Sequence, residues 1–140
     1  MSENSVTVVG NITRDPELKF LDNGDAVVRF SVAHNRRWQN PRTQEREEKT
    51  AFLEVTAYKD LAANVAASLS KGYRVIVTGR LDQRSWEGKD GEKRSTTEIV
   101  ADAIGPDLRF VTVGEFHRSN VPDTPNSPHP VKHTVDDDPF

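Results

Sequence analysis

The chain has 140 residues, of which 34% are hydrophobic and 29% charged, and this size and composition predict one soluble domain with a small core and a tail. Neither a run of about 18 apolar residues nor a basic segment followed by an apolar stretch is found, so we expect no membrane span and no secretory signal. Cysteine is absent, which excludes disulfides, thiolate chemistry and cysteine-ligated zinc and fits a cytoplasmic protein.

The net charge of −3 comes entirely from the C-terminal end of the chain. Residues 119–140 contain four acidic residues and one basic residue, which leaves 18 of each sign in residues 1–118. The count alone gives weak support to a nucleic-acid partner, although a neutral domain can still carry a basic groove.

Alternating apolar residues predict five strands, at residues 6–12, 26–33, 51–58, 73–81 and 95–101. Asp15-Pro16 interrupts the first of them, and Leu18 and Phe20 continue an extended course. The highly charged residues 36–49 predict a long loop or a hairpin extension, and the glycines at 88 and 91 predict a hairpin turn.

One helix is predicted between the third and fourth strands. Asp60 is the expected N-cap, because its carboxylate can accept from the free amides of the first turn. An apolar stripe recurs every four residues, at Leu61, Val65 and Leu69. Gly72 is the expected left-handed stop.

The order of these elements predicts an all-β fold, the five-stranded OB-fold barrel with one capping helix, over residues 1–113. A different small sheet of the α+β class is the alternative. Prolines at 122, 125, 128, 130 and 139 and the scarcity of apolar residues predict that residues 114–140 form a disordered tail.

Both tryptophans lie among cations and turn formers instead of apolar neighbours. Trp38 follows Arg36 and Arg37, and Trp86 follows Arg84 and precedes a glycine-rich turn. An exposed aromatic face beside a guanidinium can stack an unpaired base and hold its phosphate. The alternative for each tryptophan alone is a core or snorkelling residue.

Several stretches share their order and spacing with one known family. They are Val8-Val9-Gly10-Asn11-Ile12 with Asp15-Pro16-Glu17-Leu18, Phe30-Ser31-Val32-Ala33 leading to Trp38, and Lys71 to Leu81 followed by Arg84, Trp86 and Thr96-Thr97-Glu98. Together they resemble the bacterial single-stranded DNA-binding proteins over about residues 5–104 and again at the last few residues. Residues 104–110 resemble the actinobacterial branch, in which an added C-terminal strand clamps neighbouring subunits together.

The resemblance implies sequence-independent binding and protection of single-stranded DNA during replication, recombination and repair, at the nucleoid in the cytoplasm. It implies a homotetramer, in which residues 104–113 could supply the clamp strand; the alternative is that this strand folds back on its own barrel. No cofactor and no metal are expected.

The resemblance also implies the site residues. Bases would stack on Trp38, Phe52, Tyr58 and Trp86, with a place in the barrel core as the alternative for Phe52 and Tyr58. Phosphates would meet Lys71 and Arg84 and, more loosely, Arg36, Arg37 and Lys49. Acids occupy positions that are often basic in the family, at Glu47, Glu54, Asp60 and Asp82, which suggests a secondary paralogue as readily as the main cellular protein.

The C-terminal tip carries three acids, a proline and a terminal aromatic residue: Asp136, Asp137, Asp138, Pro139 and Phe140. A terminal ring can enter an apolar pocket while the carboxylates meet a basic rim, so the tip is typical of a docking peptide. The family ends in a similar acidic tip that recruits replication and repair proteins. A merely solubilising tail is the alternative.

Two other functions compete with DNA binding. An enzyme is not expected, because no nucleophile or phosphate-loop signature occurs and the closely spaced His129 and His133 are separated by Pro130. An OB-fold module that binds RNA or a protein remains the alternative, since the same barrel serves all three roles.

Overall fold

Six strands and one helix make up most of residues 3–116, the part of the chain that the computed structural model describes. The elements are β1 (Val6–Ile12), β2 (Glu17–Phe20), β3 (Ala26–Gln39), β4 (Arg46–Tyr58), α1 (Lys59–Ser68), β5 (Arg74–Glu87) and β6 (Lys93–Pro106). No helix in this part of the chain is long and apolar enough to cross a membrane.

The strands form one sheet in the order β1-β5-β6-β4-β3-β2, and β1 also pairs with β3. β1 lies antiparallel to β5 from Val6 to Asn11, and its last two residues, Asn11 and Ile12, pair with β3. This second pairing closes the sheet, so the OB-type barrel with one helix is confirmed. Strand β2 pairs with β3 and is not a continuation of β1. The irregular residues 13–16, which include Asp15-Pro16, separate the two strands.

The barrel interior is filled by the alternate apolar residues that the sequence pattern identified. Fully buried side chains come from β3 (Val28, Phe30 and Val32), β4 (Val55), β5 (Val75 and Val77) and β6 (Ile99). Helix α1 adds Ala62 and Val65 to the same core, and Leu69, which directly follows the helix, adds a third side chain. Burial of each large side chain contributes about 1.5–3 kcal/mol before chain entropy is subtracted.

The ends of α1 differ from the prediction. The N-cap is Tyr58, which makes no side-chain cap hydrogen bond, and Asp60 falls within the first turn. Because β4 runs directly into α1, the N-cap position falls on the last residue of the strand, which has the extended backbone usual for an N-cap but lacks the short side-chain acceptor of Ser, Thr, Asp or Asn. Asp60 still favours the helix by placing a negative charge near its N-terminus.

The helix ends at Ser68, with Leu69 as its C-cap in an extended conformation, so Gly72 is not the residue that stops it. Gly72 instead makes the turn into β5 at a φ of 92°, a conformation that favours glycine. Its amide donates to the carbonyl of Ile12 at 2.7 Å, which fastens this turn to the end of β1.

Two hairpins extend away from the barrel. Strands β3 and β4 stay paired out to Gln39 and Arg46, and strands β5 and β6 stay paired out to Glu87 and Lys93. The charged residues 36–49 therefore belong to a hairpin extension. We call this extension the β3–β4 arm and define it as residues 34–51. The corresponding β5–β6 arm, residues 82–98, carries the predicted glycine turn at its tip.

A register shift between Thr78 and Gly79 divides β5 into two parts. A Cβ on Gly79 would collide with the carbonyl oxygen of Val100 and the Cα of Ala101, so the close approach of β6 at this point requires glycine. Odd-numbered residues such as Ile99 and Ala101 face inwards in the earlier part of β6. After the shift, Ile104 faces inwards beside Val77.

The segment after β6 is irregular. Residues 104–106 complete β6, and residues 107–116 form no strand. Residues 104–106 of the predicted clamp strand thus pair with β5 of the same chain, as in the alternative, whereas residues 107–116 add no strand to the barrel. The predicted clamp needs a neighbouring subunit and stays a prediction, and the tail from residue 117 onwards, including the tip at residues 136–140, lies outside the described residues.

Candidate nucleic-acid interface

Three of the four predicted stacking residues share the outer face of the barrel. On β4 the odd-numbered residues, such as Val55, enter the core, so Phe52 and Tyr58 point outwards. Glu54 of β4 is paired with Glu98 of β6, which is paired in turn with Asp82 of β5. Paired residues project to the same side of a sheet, so this face continues across β4, β6 and β5. Trp86, four residues along β5, lies on it too.

These aromatic side chains are open to solvent. The exposed fractions are 67% for Phe52, 38% for Tyr58 and 48% for Trp86. Phe52 and Tyr58 are therefore not barrel core, which removes the alternative considered for them. Exposed rings of this size are costly to leave in water, and a row of them on one face indicates a binding surface.

Trp38 occupies a different place, on the β3–β4 arm. It is paired with Glu47, and its exposed fraction is 37%. The guanidinium of Arg36 lies 5.6 Å from the centre of the Trp38 ring, within the range of a cation–π contact. Oε1 of Glu47 accepts a hydrogen bond from the side-chain Nδ2 of Asn40 at 3.0 Å, so this acid is engaged close to the tryptophan.

Arg36 has a second cation directly opposite, since its cross-strand partner is Lys49. Like charges in this position destabilise a hairpin, and within residues 3–116 neither of the two forms an ion pair. Arg37 projects to the other side of the arm, where it lies 3.7 Å from its partner Glu48. Arg36 and Lys49 therefore combine with Trp38 into one basic and aromatic surface, and Arg37 does not join them.

Arg84 lies between the aromatic residues of the outer face, but its charge is engaged. Its Nε is 3.4 Å from Oε1 of Glu98, and its Nη2 donates to Oε2 at 3.4 Å. Thr56 of β4 donates to the same Oε2 at 2.8 Å. The Glu98 side chain is 4% exposed, whereas the Arg84 side chain is 46% exposed. The predicted phosphate contact is therefore one half of an ion pair.

The acids expected near the DNA path fall in several environments. Glu54 forms an ion pair with Arg14, whose Nη2 donates to Oε2 of Glu54 at 3.2 Å. Asp82 lies on the same row of the outer face and makes no ion pair within residues 3–116. Asp60 belongs to α1 and is not part of this face.

Lys71 lies apart from these strands. It is an exposed residue of the turn between α1 and β5, and its amide donates to Oδ1 of Asp15 in the loop between β1 and β2 at 2.8 Å. The structure does not bring Lys71 onto the face shared by Phe52 and Trp86. Its predicted phosphate contact therefore requires a DNA strand that extends beyond this face to the turn between α1 and β5.

Sequence reasoning did not single out Arg14, Thr56 or Glu98 as site residues. Thr56 and Glu98 lie 42 positions apart and meet only because β4 and β6 pair in parallel. For Glu98 the sequence offered one indication: the alternation along the predicted fifth strand places it facing outwards, on the same side as the residues expected to bind DNA. Arg14 gave none, because it lies in an irregular loop.

Past β6, Asp107 ties the irregular segment to the barrel. Its Oδ2 accepts from Nε of Arg74 at 2.8 Å, and its Oδ1 accepts from the amide of Arg109 at 3.0 Å. The hydrogen bond from Arg74, followed by that from Arg109, lowers the pKa of Asp107 below its usual value. Phe110 follows with guanidinium groups of Arg74 and Arg109 at 5.7 and 5.3 Å from its ring centre.

No group of three or more histidine, cysteine, aspartate or glutamate side chains among residues 3–116 could hold a metal ion. His129 and His133 lie outside the described residues.

A barrel of this type, with exposed aromatic and basic residues on strands β3, β4 and β5, belongs to the class of OB-fold binding proteins. Within that class, residues 3–107 match the model of the single-strand binding protein family. The chain belongs to this family, as the sequence resemblance indicated.

Named relatives agree with this assignment. The chain is 51% identical over 111 residues to a single-stranded DNA-binding protein of Corynebacterium glutamicum, covering 79% of this chain and 49% of the relative. It is 45% identical over 121 residues to one of Paenarthrobacter aurescens, covering 84% and 71%, and 47% identical over 111 residues to one of Mycobacterium leprae, covering 79% and 66%. The matched region thus spans about half of the Corynebacterium protein.

A solved structure is similar as well. A Plasmodium falciparum SSB, in complex with single-stranded DNA, superimposes with a TM-score of 0.70 at 29% identity, over 76% of this chain and 96% of that one. The prediction that the chain is not an enzyme is confirmed at the level of the family, whose members are named for binding.

Proposed function

We propose that this protein binds single-stranded DNA without sequence preference and protects it. The observation that carries the proposal is the set of four aromatic side chains, each more than a third exposed, on the outer strands of a barrel whose relatives are named for this activity. Every base has a flat face, so stacking on such rings tolerates any sequence and contributes about 1–3 kcal/mol per base. Bases in a duplex already stack on each other, so the preference is for single strands.

Phosphate binding on the β3–β4 arm supports the same function. The facing cations Arg36 and Lys49 repel each other in the free protein, and a phosphate between them would relieve that repulsion while a base stacks on Trp38. The interaction supplies affinity that depends on salt but not on sequence. Lys71, Arg37 and the paired Arg84 would add further contacts.

A titration with intrinsic tryptophan fluorescence tests the proposal. Oligo-dT should quench Trp38 and Trp86 strongly, whereas duplex DNA of the same length should not. Single-stranded RNA in a third titration separates DNA binding from the alternative OB-fold role in RNA binding. Equal quenching by duplex and single strand, or none by either, would contradict the proposal.

Roles in replication, recombination and repair at the nucleoid, and recruitment of partner proteins through Asp136, Asp137, Asp138, Pro139 and Phe140, belong to this proposal. So does a homotetramer clamped by residues 104–113. Exposed apolar side chains in the irregular segment support the clamp, since Leu108, Phe110 and Val111 are each more than half exposed. Light scattering on a chain that ends at Pro106 tests it: an unchanged mass and an unchanged melting temperature would exclude clamping.

A further inference from the structure

Glu98 is a nearly buried acid on a surface that should attract phosphates. The side chain is 4% exposed and both of its oxygens are engaged, Oε1 by Nε of Arg84 and Oε2 by Nη2 of Arg84 and the hydroxyl of Thr56. The two hydrogen bonds both end on Oε2, and Oε1 is held by the ion pair with Nε of Arg84 at 3.4 Å. A buried charge is expensive to retain for stability alone, which leaves its purpose to be explained.

The contacts fix one edge of the Arg84 guanidinium and leave another free. Nε and Nη2 face Glu98, while Nη1 donates to no acceptor among residues 3–116 and the side chain is 46% exposed. A planar guanidinium presents its donors in a fixed fork, so an arginine that is held along one edge can still offer N–H groups to a phosphate. Thr56 in turn holds the carboxylate in place from β4.

Arg84 has an alternative partner nearby. Asp82 lies two residues before it on β5, on the same face, and makes no ion pair within the described residues. Long exposed side chains lose rotamer entropy when a ligand fixes them. Without Glu98, Arg84 would be free to move in solvent or to pair with Asp82, and either state must be given up on binding.

We propose that Glu98 is a positioning residue for DNA binding: it orients Arg84 so that its free N–H groups face the phosphate backbone on the outer face of β5. The inference rests on the proposed function. It predicts an effect opposite to simple electrostatics, because removal of an acid from a DNA-binding face should otherwise strengthen the attraction of phosphates.

Glu54 is a matched control for Glu98. It is the same residue type and the direct register partner of Glu98 on the same face. Its ion pair is with Arg14 and not with Arg84. Glu98→Gln should weaken binding of oligo-dT about fivefold, the net value of one hydrogen bond. Glu54→Gln removes the same charge from the same face without touching Arg84, so it should strengthen binding.

Two further measurements separate positioning from a structural role. The slope of log affinity against log salt should fall by about 0.7 in Glu98→Gln, corresponding to one lost phosphate contact on a single strand. In an Arg84→Gln background, Glu98→Gln should cause no further loss, because the residue it orients is gone. Circular dichroism and melting curves identify the temperature at which every variant is folded; if Arg84→Gln does not fold, Arg84→Lys replaces it, since an ammonium cannot be held along an edge.

The outcomes distinguish this inference from the proposed function. If the unmodified protein does not bind oligo-dT, the proposed function fails and the inference fails with it. If the unmodified protein binds, but Glu98→Gln binds as tightly as Glu54→Gln or loses the same factor with and without Arg84, only the positioning role of Glu98 is overturned.

Discussion

Trp38 and Phe52 lie on opposite faces of the β3–β4 hairpin. Phe52 is paired with Ala33, and Trp38 stands five residues farther along the same strand, an odd number that reverses its direction. A DNA strand that stacks on both rings must therefore pass round the hairpin. The two aromatic residues belong to successive parts of one path and not to a single flat platform.

This arrangement predicts a dependence on oligonucleotide length. An oligo-dT of about 6 nucleotides, near the lower end of OB-fold site sizes, can use one face only, so Trp38→Ala and Phe52→Ala should each weaken its binding slightly. With about 30 nucleotides each substitution should cost about 1–3 kcal/mol, because both faces are occupied. Fluorescence anisotropy on labelled oligonucleotides measures both. Equal losses at both lengths would show that the strand does not wrap the arm.

Replacement of Trp86 by alanine should weaken oligo-dT binding by about 1–3 kcal/mol and leave the fold intact. The ring is 48% exposed at the side of the β5–β6 arm and contributes nothing to the core cluster, so its removal creates no cavity. Binding per folded molecule, measured beside a melting curve, checks this. A protein that unfolds on substitution, but binds normally while folded, would mean that Trp86 has a structural role.

Binding should depend on salt only moderately. Of the cations predicted to meet phosphates, Arg36, Lys49 and Lys71 form no ion pair within residues 3–116, whereas Arg37 and Arg84 are engaged with acids and would neutralise phosphates less. A plot of log affinity against log salt measures that number. Lys49→Gln should lower the slope by about 0.7 on single strands, whereas Arg37→Gln should change it less. A flat plot for the unmodified protein would remove the electrostatic part of the binding.

Asp107 should stabilise the fold in a pH-dependent way. The bond from Arg74 lowers the pKa of the folded carboxyl below its ordinary value of 3.8, so the unfolded chain binds the proton more tightly. The stabilisation is therefore fully present above pH 3.8 and is lost as the pH falls through the lower folded value. Asp107→Asn should melt earlier than the unmodified protein at neutral pH. The difference should shrink in acid, and a difference that is independent of pH would contradict the role of the charge.

Deletion of Pro139 and Phe140 should abolish capture of partner proteins and leave oligo-dT binding intact. The terminal ring is the part of the tip that a purely solubilising tail does not require. Affinity capture with the complete chain and the shortened chain, compared at equal oligo-dT binding, measures the effect. A chain in which Phe140 alone is replaced by serine keeps the acids and the length and serves as the control. Equal recovery of partners would identify the tail as a solvated end.

The sequence predicted the parts of the site that depend on local context. Trp38 and Trp86 stand among cations and turn formers, and such neighbours cannot belong to a core, so their exposure could be inferred. The exposure of residues 36–49 was predictable for the same reason, but the charge pattern left a loop and a hairpin extension open.

The parts that depend on pairing between distant residues were not predictable. The position of Trp38 relative to Phe52 follows from the β3–β4 register, and the engagement of Arg84 follows from two register relations across β5, β6 and β4. The helix cap at Asp60 was wrong because a strand that enters a helix without a turn leaves its first carboxylate inside the helix. A local pattern cannot reveal that junction.

The parallel contact between β4 and β6 also bears on how the chain folds. It joins only Glu54, Val55 and Thr56 to Glu98, Ile99 and Val100, across more than forty positions, whereas the β3–β4 and β5–β6 hairpins close over short loops. Loop-closure entropy delays contacts of long sequence separation, so the hairpins should form early and this seam late. The face that would stack bases is thus completed only when β4 meets β6, and amide exchange at Val55 and Thr56 would report that step.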